Sequence, residues 1–271
     1  MRAPASIERF IKNRVRARLL RDRFTAERFE YRAADTSTPP QPVLMCLWNR
    51  PSRLADVLRM LDEQEGVPQG VELMLWNNNK LDHEHYREVL RAASARGALR
   101  SVQLVRTPYN MGSIARFFLA RRVAAGRGAV PVIVIDDDED FEPDFVATAL
   151  AHHDPHSIHA FWAFTVGDTY YYRIASEPGG AVDHIGPGGS VMSADIFLDD
   201  GFFTRIPEQY RMLDDLWLTW WAKQHGISLA KLPVEIAFVM DETNQYHGQT
   251  SMKEEFFLTL YPEKRRAGEG G

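Results

Sequence analysis

Cysteine is almost missing from this chain of 271 residues: its one thiol, Cys46, can close no internal disulfide. That excludes a cross-linked secreted scaffold and fits a reducing compartment. Long apolar runs are missing too, since the longest, Ala129 to Ile135, falls far short of the roughly 20 residues that a membrane-crossing helix needs. The opening Met-Arg-Ala-Pro lacks the apolar region and small-residue cleavage site of a secretory signal, so the expected location is the cytoplasm, with peripheral membrane association left open by the basic segment described next. Internal repeats are also missing. What remains is 45% hydrophobic and 11% aromatic, enough apolar material to build a globular core, with 25% charged residues to keep it in water.

The net charge of −5 is unevenly spread. Residues 1–32 carry ten basic and four acidic side chains, a local +6 that leaves the rest of the chain at −11. An acidic body makes a poor clamp for phosphate backbones, so no nucleic-acid partner is expected. Within the basic segment, Ile7, Ile11, Val15 and Leu19 recur every four residues, the spacing of one helical face. Such a helix either docks its stripe onto its own domain or lies on an anionic membrane surface. The expected organisation is this helix over residues 1–32, a Pro-rich linker over 33–42, one catalytic domain over 43–262 and a polar tail over 263–271.

Beyond the linker, short apolar runs alternate with segments of helical spacing. Strands are predicted at 42–48, 71–76, 102–106 and 130–135, and helices at 53–64, 83–95 and 113–125. Strand and helix in alternation imply parallel strands joined by crossovers, hence an open α/β sheet flanked by helices. Ligands of such sheets bind beyond the carboxyl ends of the strands. The residues at those ends are polar: Asn49 and Arg50, then Asn77 and Asn78, then Asn110 and Gly112, then Asp136, Asp137 and Asp138.

Three carboxylates capping a buried strand repel one another unless protons or a cation neutralise them, and hard oxygen ligands suit Mg2+ or Mn2+. A calcium hand would want Gly where Phe141 stands, and an aspartyl-phosphate phosphatase would want Thr or Val where Glu139 stands. Arg50 and Arg116 are candidates to reach diphosphate oxygens, with surface ion pairs as the competing reading. The loop Gly186-Pro-Gly-Gly-Ser190, with Gly188 and Gly189, would bring backbone N–H groups near a donor sugar or serve as a plain turn. The run His152-His153-Asp154-Pro155-His156 has metal-like composition, but Pro155 breaks the helical alignment. Cys46, inside an apolar strand, is expected to be a buried small hydrophobe.

Several pieces in one order resemble the glycosyltransferases of the GT-A fold, above all glycosyltransferase family 2, over residues 42–250. These are Leu47-Trp48-Asn49-Arg50 after the first strand, Asn110-Met-Gly112 with Ala115-Arg116, Val134-Ile-Asp136-Asp-Asp138, and the Asp214-Asp215 pair opening a helix that closes at Gly226. The resemblance implies transfer of a sugar from a nucleoside diphosphate sugar to a hydroxyl of a glycan, a lipid-linked or another acceptor. It implies a metal at Asp136 and Asp138, His247 closing on it, and Asp215 as general base beside Asp214. The competing reading for either acid is a helix N-cap. Trp76-Asn77-Asn78 is more similar to the exostosin-type transferases, which retain anomeric configuration where family 2 inverts it. A nucleotidyltransferase would want a glycine-rich loop where Leu47-Trp-Asn-Arg-Pro-Ser stands, and a non-catalytic nucleotide-sugar-binding module would have no use for Asp215.

Overall fold

The computed structural model describes residues 5–32, 37–239 and 250–264. Its centre is an eight-stranded mixed sheet in the order β1-β4-β3-β2-β5-β11-β7-β12. Four neighbours, β2 (Gln41–Leu47), β3 (Val71–Asn77), β4 (Leu99–Arg106) and β5 (Pro131–Val134), run parallel. The crossovers α2 (Leu54–Asp62), α3 (His83–Ala92) and α4 (Arg116–Arg127) cover both faces. Chain order places β3 and β4 to one side of β2 and β5 to the other, so β2 and β5 flank the point where strand order reverses. A crevice opens at such a point because successive crossovers leave on opposite faces.

The strands read as continuous apolar runs because both faces are covered. Along β2, Leu44 faces a core built with α4, while Val43, Met45 and Leu47 face the opposite core with α2 and α3. Along β3, Met74 and Trp76 face the first core, and Leu73 and Leu75 the second. A one-residue slip in either strand would exchange the two sets.

The second half of the sheet supplies the far wall of the crevice. After β6 (Glu139–Phe141) and α5 (Phe145–Ala151), β7 (Ser157–Ala160) leads into a small antiparallel sheet of β8 (Ala163–Val166), β9 (Arg173–Ala175) and β10 (His184–Ile185). The chain returns through β11 (Ser190–Ser193), antiparallel to both β5 and β7. It continues through α6 (Asp200–Thr204), α7 (Asp214–Gln224), β12 (Ser228–Lys231) and β13 (Ile236–Phe238) to α8 (Thr250–Leu260). Trp217 and Trp221 of α7 are buried in the first core together with Phe256 of α8.

One expectation about the first 32 residues is corrected. The helix α1 covers only Ala5–Leu19, and Ala26–Glu30 forms the edge strand β1, antiparallel to β4. The reason lies in the alternation of Ala26-Glu-Arg-Phe-Glu30: Phe29 enters the second core while Arg28 reaches the buried carboxylate of Glu72 at 3.1 Å. Within the stretch expected as a linker, β2 already begins at Gln41, and residues 33–36 lie outside the described residues.

Candidate functional site

A cleft of about 560 Å³ opens at the carboxyl ends of β2 and β5, between the strand-end loops and the wall formed by β8, α7 and α8. Of the residues singled out in the sequence, Arg50, Asn78, Asn110, Gly112, Arg116, Asp136, Asp137, Asp138, Gly188, Asp214 and Asp215 line it. The loops that present them are themselves held by side chains. Asn78 donates to the Gly112 carbonyl at 3.0 Å and accepts from the Met111 N–H at 3.0 Å, pinning the Asn-Met-Gly turn to β3. Asn110 accepts from the Gly112 N–H at 2.8 Å. Gly112 has φ +80, and a Cβ there would lie 2.5 Å from the Arg211 carbonyl oxygen, so only glycine suits the turn.

Arg116 organises the centre. It is 3% exposed, and its guanidinium reaches Asp136 at 2.5 Å and Asp214 at 3.1 Å, with the Ile135 carbonyl at 3.2 Å. One side chain therefore ties the acidic loop after β5 to the first turn of α7. Arg50 makes the parallel contact on the other side of the loop, to Asp137 at 2.6 Å and Asp138 at 3.2 Å. Both arginines were candidates to grip a diphosphate directly; in this arrangement each is engaged by carboxylates, because burial beside acids makes ion pairing the cheaper way to hold a desolvated cation.

The acid cluster carries more negative charge than its arginines neutralise. Burial pushes Asp137 up to about 7 despite the nearby Arg50 guanidinium. Burial, and then the charge of Asp136, push Asp138 up to about 6 and Glu139 up to about 8. Glu139 accepts from the Asp136 backbone N–H at 3.0 Å and from Trp162 Nε1 at 2.6 Å, and Asp137 Oδ2 is buried with no hydrogen-bond partner. Gly188 leaves the space beside these carboxylates open: a Cβ there would lie 2.4 Å from Glu139 Oε1 and 2.5 Å from Asp136 Oδ2.

Asp214 and Asp215 both face the cleft, and neither caps α7, whose N-cap residue is Leu213 with no side-chain cap bond. Asp214 is held by Arg116, and burial raises its pKa against that cation. Asp215 accepts from Tyr170 Oη at 2.8 Å and pairs with Lys253 Nζ at 2.9 Å. Burial alone would raise its pKa, but Lys253, His184 and the Tyr170 hydroxyl together hold it below the ordinary carboxylate range. His184 lies 3.9 Å away and accepts from or donates to Thr219 Oγ1 at 3.2 Å. Burial lowers its pKa to about 4, so the imidazole is neutral at neutral pH and its contact with Asp215 is not an ion pair. Arg173 donates to Tyr170 Oη at 3.0 Å and lies over the Phe164 ring, 4.7 Å from its centroid.

Three sequence candidates fall outside the cleft lining. Asn77 is fully buried and accepts from the Asn79 N–H at 2.8 Å, shaping the loop after β3. Asn49, at φ +58, accepts from Asn79 Nδ2 at 3.0 Å and serves the neighbouring loop in the same way. Gly189 packs against Ile236, whose Cδ1 would lie 2.3 Å from an added Cβ. Short polar side chains at strand ends satisfy neighbouring polar groups of their own loops as readily as ligands, which accounts for the two asparagines. His247 lies outside the described residues. Among the described residues no group of three His, Cys, Asp or Glu side chains converges as a metal-holding set, the His152 to His159 run included. No described helix is long and apolar enough to cross a membrane.

Sequence reasoning missed Glu139, Trp162, Tyr170, Arg173, His184 and Lys253, all of which line the cleft. Glu139 alone carried a signal, its adjacency to the acidic triplet.

No protein-family model and no curated protein matches the chain. Among solved structures it is similar to S. aureus TarS, residues 1–349, in a crystal structure with UDP. The two share 14% identity with a TM-score of 0.46, over 71% of this chain and 57% of that one. The chain thus spans a little over half the length of that structure.

Proposed function

We propose that the chain transfers a sugar from a nucleoside diphosphate sugar to an acceptor hydroxyl. The observation that carries this reading is Arg116: by binding Asp136 and Asp214 at once, it sets two groups of acids across a single cleft at the switch point of the sheet. A diphosphate on the Asp136 side and a hydroxyl on the Asp215 side would then meet over the cleft floor.

The acid cluster fits a divalent cation as a partial ligand set. Asp136 and Asp138 offer hard oxygens on the cleft wall, Gly188 leaves room beside them, and the raised pKa values of Asp137, Asp138 and Glu139 mark negative charge in search of compensation. Mg2+ is commonly held by one or two carboxylates together with substrate phosphates and water, so a protein-only trio is not required. When bound, the ion would neutralise charge developing on the leaving diphosphate.

On the other side Asp215 is the candidate base. As the acceptor oxygen bonds to the anomeric carbon and the bond to the diphosphate breaks, the hydroxyl proton would pass to Asp215 Oδ2. For this the carboxylate must be released from Lys253, since a carboxylate of very low pKa is a weak proton acceptor. That same ionic lock favours a second reading, retention of configuration, in which the protein supplies no base.

Donor hydrolysis with and without Mn2+, in wild type, Asp138→Ala and Asp215→Asn, tests the scheme. The expected result is metal-dependent hydrolysis of a nucleoside diphosphate sugar, lost in Asp138→Ala. Activity indifferent to chelator and to that substitution would remove the metal role. Asp215→Asn should keep donor binding while transfer falls by about 10²-fold or more, the scale of general-base losses. Undiminished transfer with retained anomeric configuration would establish the second reading instead.

A further inference from the structure

The helix α1 satisfies one of its two possible roles and leaves a face for the other. It docks through Leu19, which is 5% exposed, with Val15 and Leu20 packed against the first core. Polar contacts lock that orientation: Lys12 pairs with Glu208 at 2.7 Å, Tyr109 Oη donates to the Lys12 carbonyl, and Arg121 Nε donates to the Leu20 carbonyl at 3.1 Å. Arg122 adds a bond to Asp22 at 2.5 Å just beyond the helix. The stripe expected from sequence is thereby divided, because Ile11 is not covered by the docking.

The outward face is compositionally distinct. Phe10 is 60% exposed and Ile11 50% exposed, and Arg14, Ala17 and Arg18, at helical spacing from them, are exposed on the same side. Arg21 and Arg23 follow, also exposed. Between residues 10 and 21 there are five basic residues and no acid, on a molecule whose remainder is acidic. Exposed apolar tips among arginines suit a surface that offers both a hydrocarbon interior and negative headgroups.

We propose that this face of α1 seats the protein on an anionic lipid bilayer, Phe10 and Ile11 entering the interface while Arg14, Arg18 and Arg21 meet the headgroups. The docking is independent of the chemistry in the cleft, but it has an address there. Tyr109 and Glu208, which hold Lys12, belong to the loops that carry Asn110 and Met212 to the cleft wall.

Co-sedimentation of the full chain with vesicles of mixed phosphatidylglycerol and phosphatidylcholine, against phosphatidylcholine alone, reads the proposal. Wild type should bind the anionic vesicles and not the neutral ones, and added salt should weaken binding. Each arginine near such a surface contributes about 1 kcal/mol, or roughly fivefold, so Arg14→Gln/Arg18→Gln/Arg21→Gln should weaken binding on the order of 100-fold. Phe10→Ser/Ile11→Ser should also weaken it, and because all five side chains are exposed, thermal melting of both variants should match wild type. Absence of wild-type binding, equal binding to neutral vesicles, or unchanged binding in both variants would overturn the proposal. So would tight binding of a single-stranded RNA lost in the arginine variant, or self-association without vesicles that Phe10→Ser/Ile11→Ser abolishes.

Discussion

Replacing Lys253 by Met removes one half of a buried ion pair and keeps most of its volume. Lys253 Nζ lies 2.9 Å from Asp215 Oδ2, with side chains only 9% and 14% exposed. Removing one partner of such a pair strands the other, at a typical cost of 3–5 kcal/mol. The cleft admits some water and Tyr170 still donates to Asp215, so the lower end, about 3 kcal/mol at pH 7.5, is expected. In wild type the depressed pKa of Asp215 contributes stability above the ordinary carboxylate range, lost only as pH falls below it. In the variant burial is no longer opposed by the cation, so the pKa of Asp215 rises. Below that raised value the folded variant holds a proton that the unfolded chain has lost, and its deficit should shrink by up to about 1.4 kcal/mol per pH unit. Urea unfolding at pH 7.5 and pH 5 measures both effects. Lys253→Met in an Asp215→Asn background should cost under about 1 kcal/mol, since the charge it would strand is gone. An equal cost in both backgrounds, or a deficit that does not change with pH, would refute the ion-pair account.

Gly112→Ala should destabilise by more than about 2 kcal/mol in the same assay, since it adds a left-handed residue's strain to a contact at 2.5 Å with backbone; a loss below half of that would mean the turn can relax. Asn78→Ala removes both bonds that pin the Asn-Met-Gly turn and should cost about 2 kcal/mol, with donor affinity falling in parallel when measured by calorimetry. The carboxylates at 137, 138 and 139 have raised pKa values, so without metal the folded chain binds protons that the unfolded one releases, and thermal stability in EDTA should rise as pH falls from 8 to 6. Saturating Mn2+ competes with those protons and should reverse the trend; identical pH profiles with and without the ion would contradict the cation reading.

The alternating elements and the polar rim were legible because they depend on local pattern: a buried strand must be apolar, and the residue after it must meet solvent or a ligand. The pairing of Asp136 with Asp214 through Arg116 was not legible, since sequence order says nothing about which strand-end loops face each other once the sheet has twisted. Tyr170, His184 and Lys253 were hidden for a stronger reason. They come from three separate segments that meet only around Asp215, and no spacing rule links them. The edge strand β1 was missed because the basic composition of residues 1–32 suggested one continuous helix, and the period-two alternation at 26–30 is too short to compete with it. Asn49 and Asn77 show the opposite case, in which polar residues at strand ends bond within the neighbouring loops and lie outside the cleft lining.

The two sides of the cleft share one guanidinium: Nη1 of Arg116 holds Asp136, while Nε and Nη2 hold Asp214, next in the chain to Asp215. On the proposed reading, a cation recruited to Asp136 would take over that carboxylate and leave the arginine's whole charge to Asp214, so a change on the donor shore would be felt electrostatically on the acceptor shore.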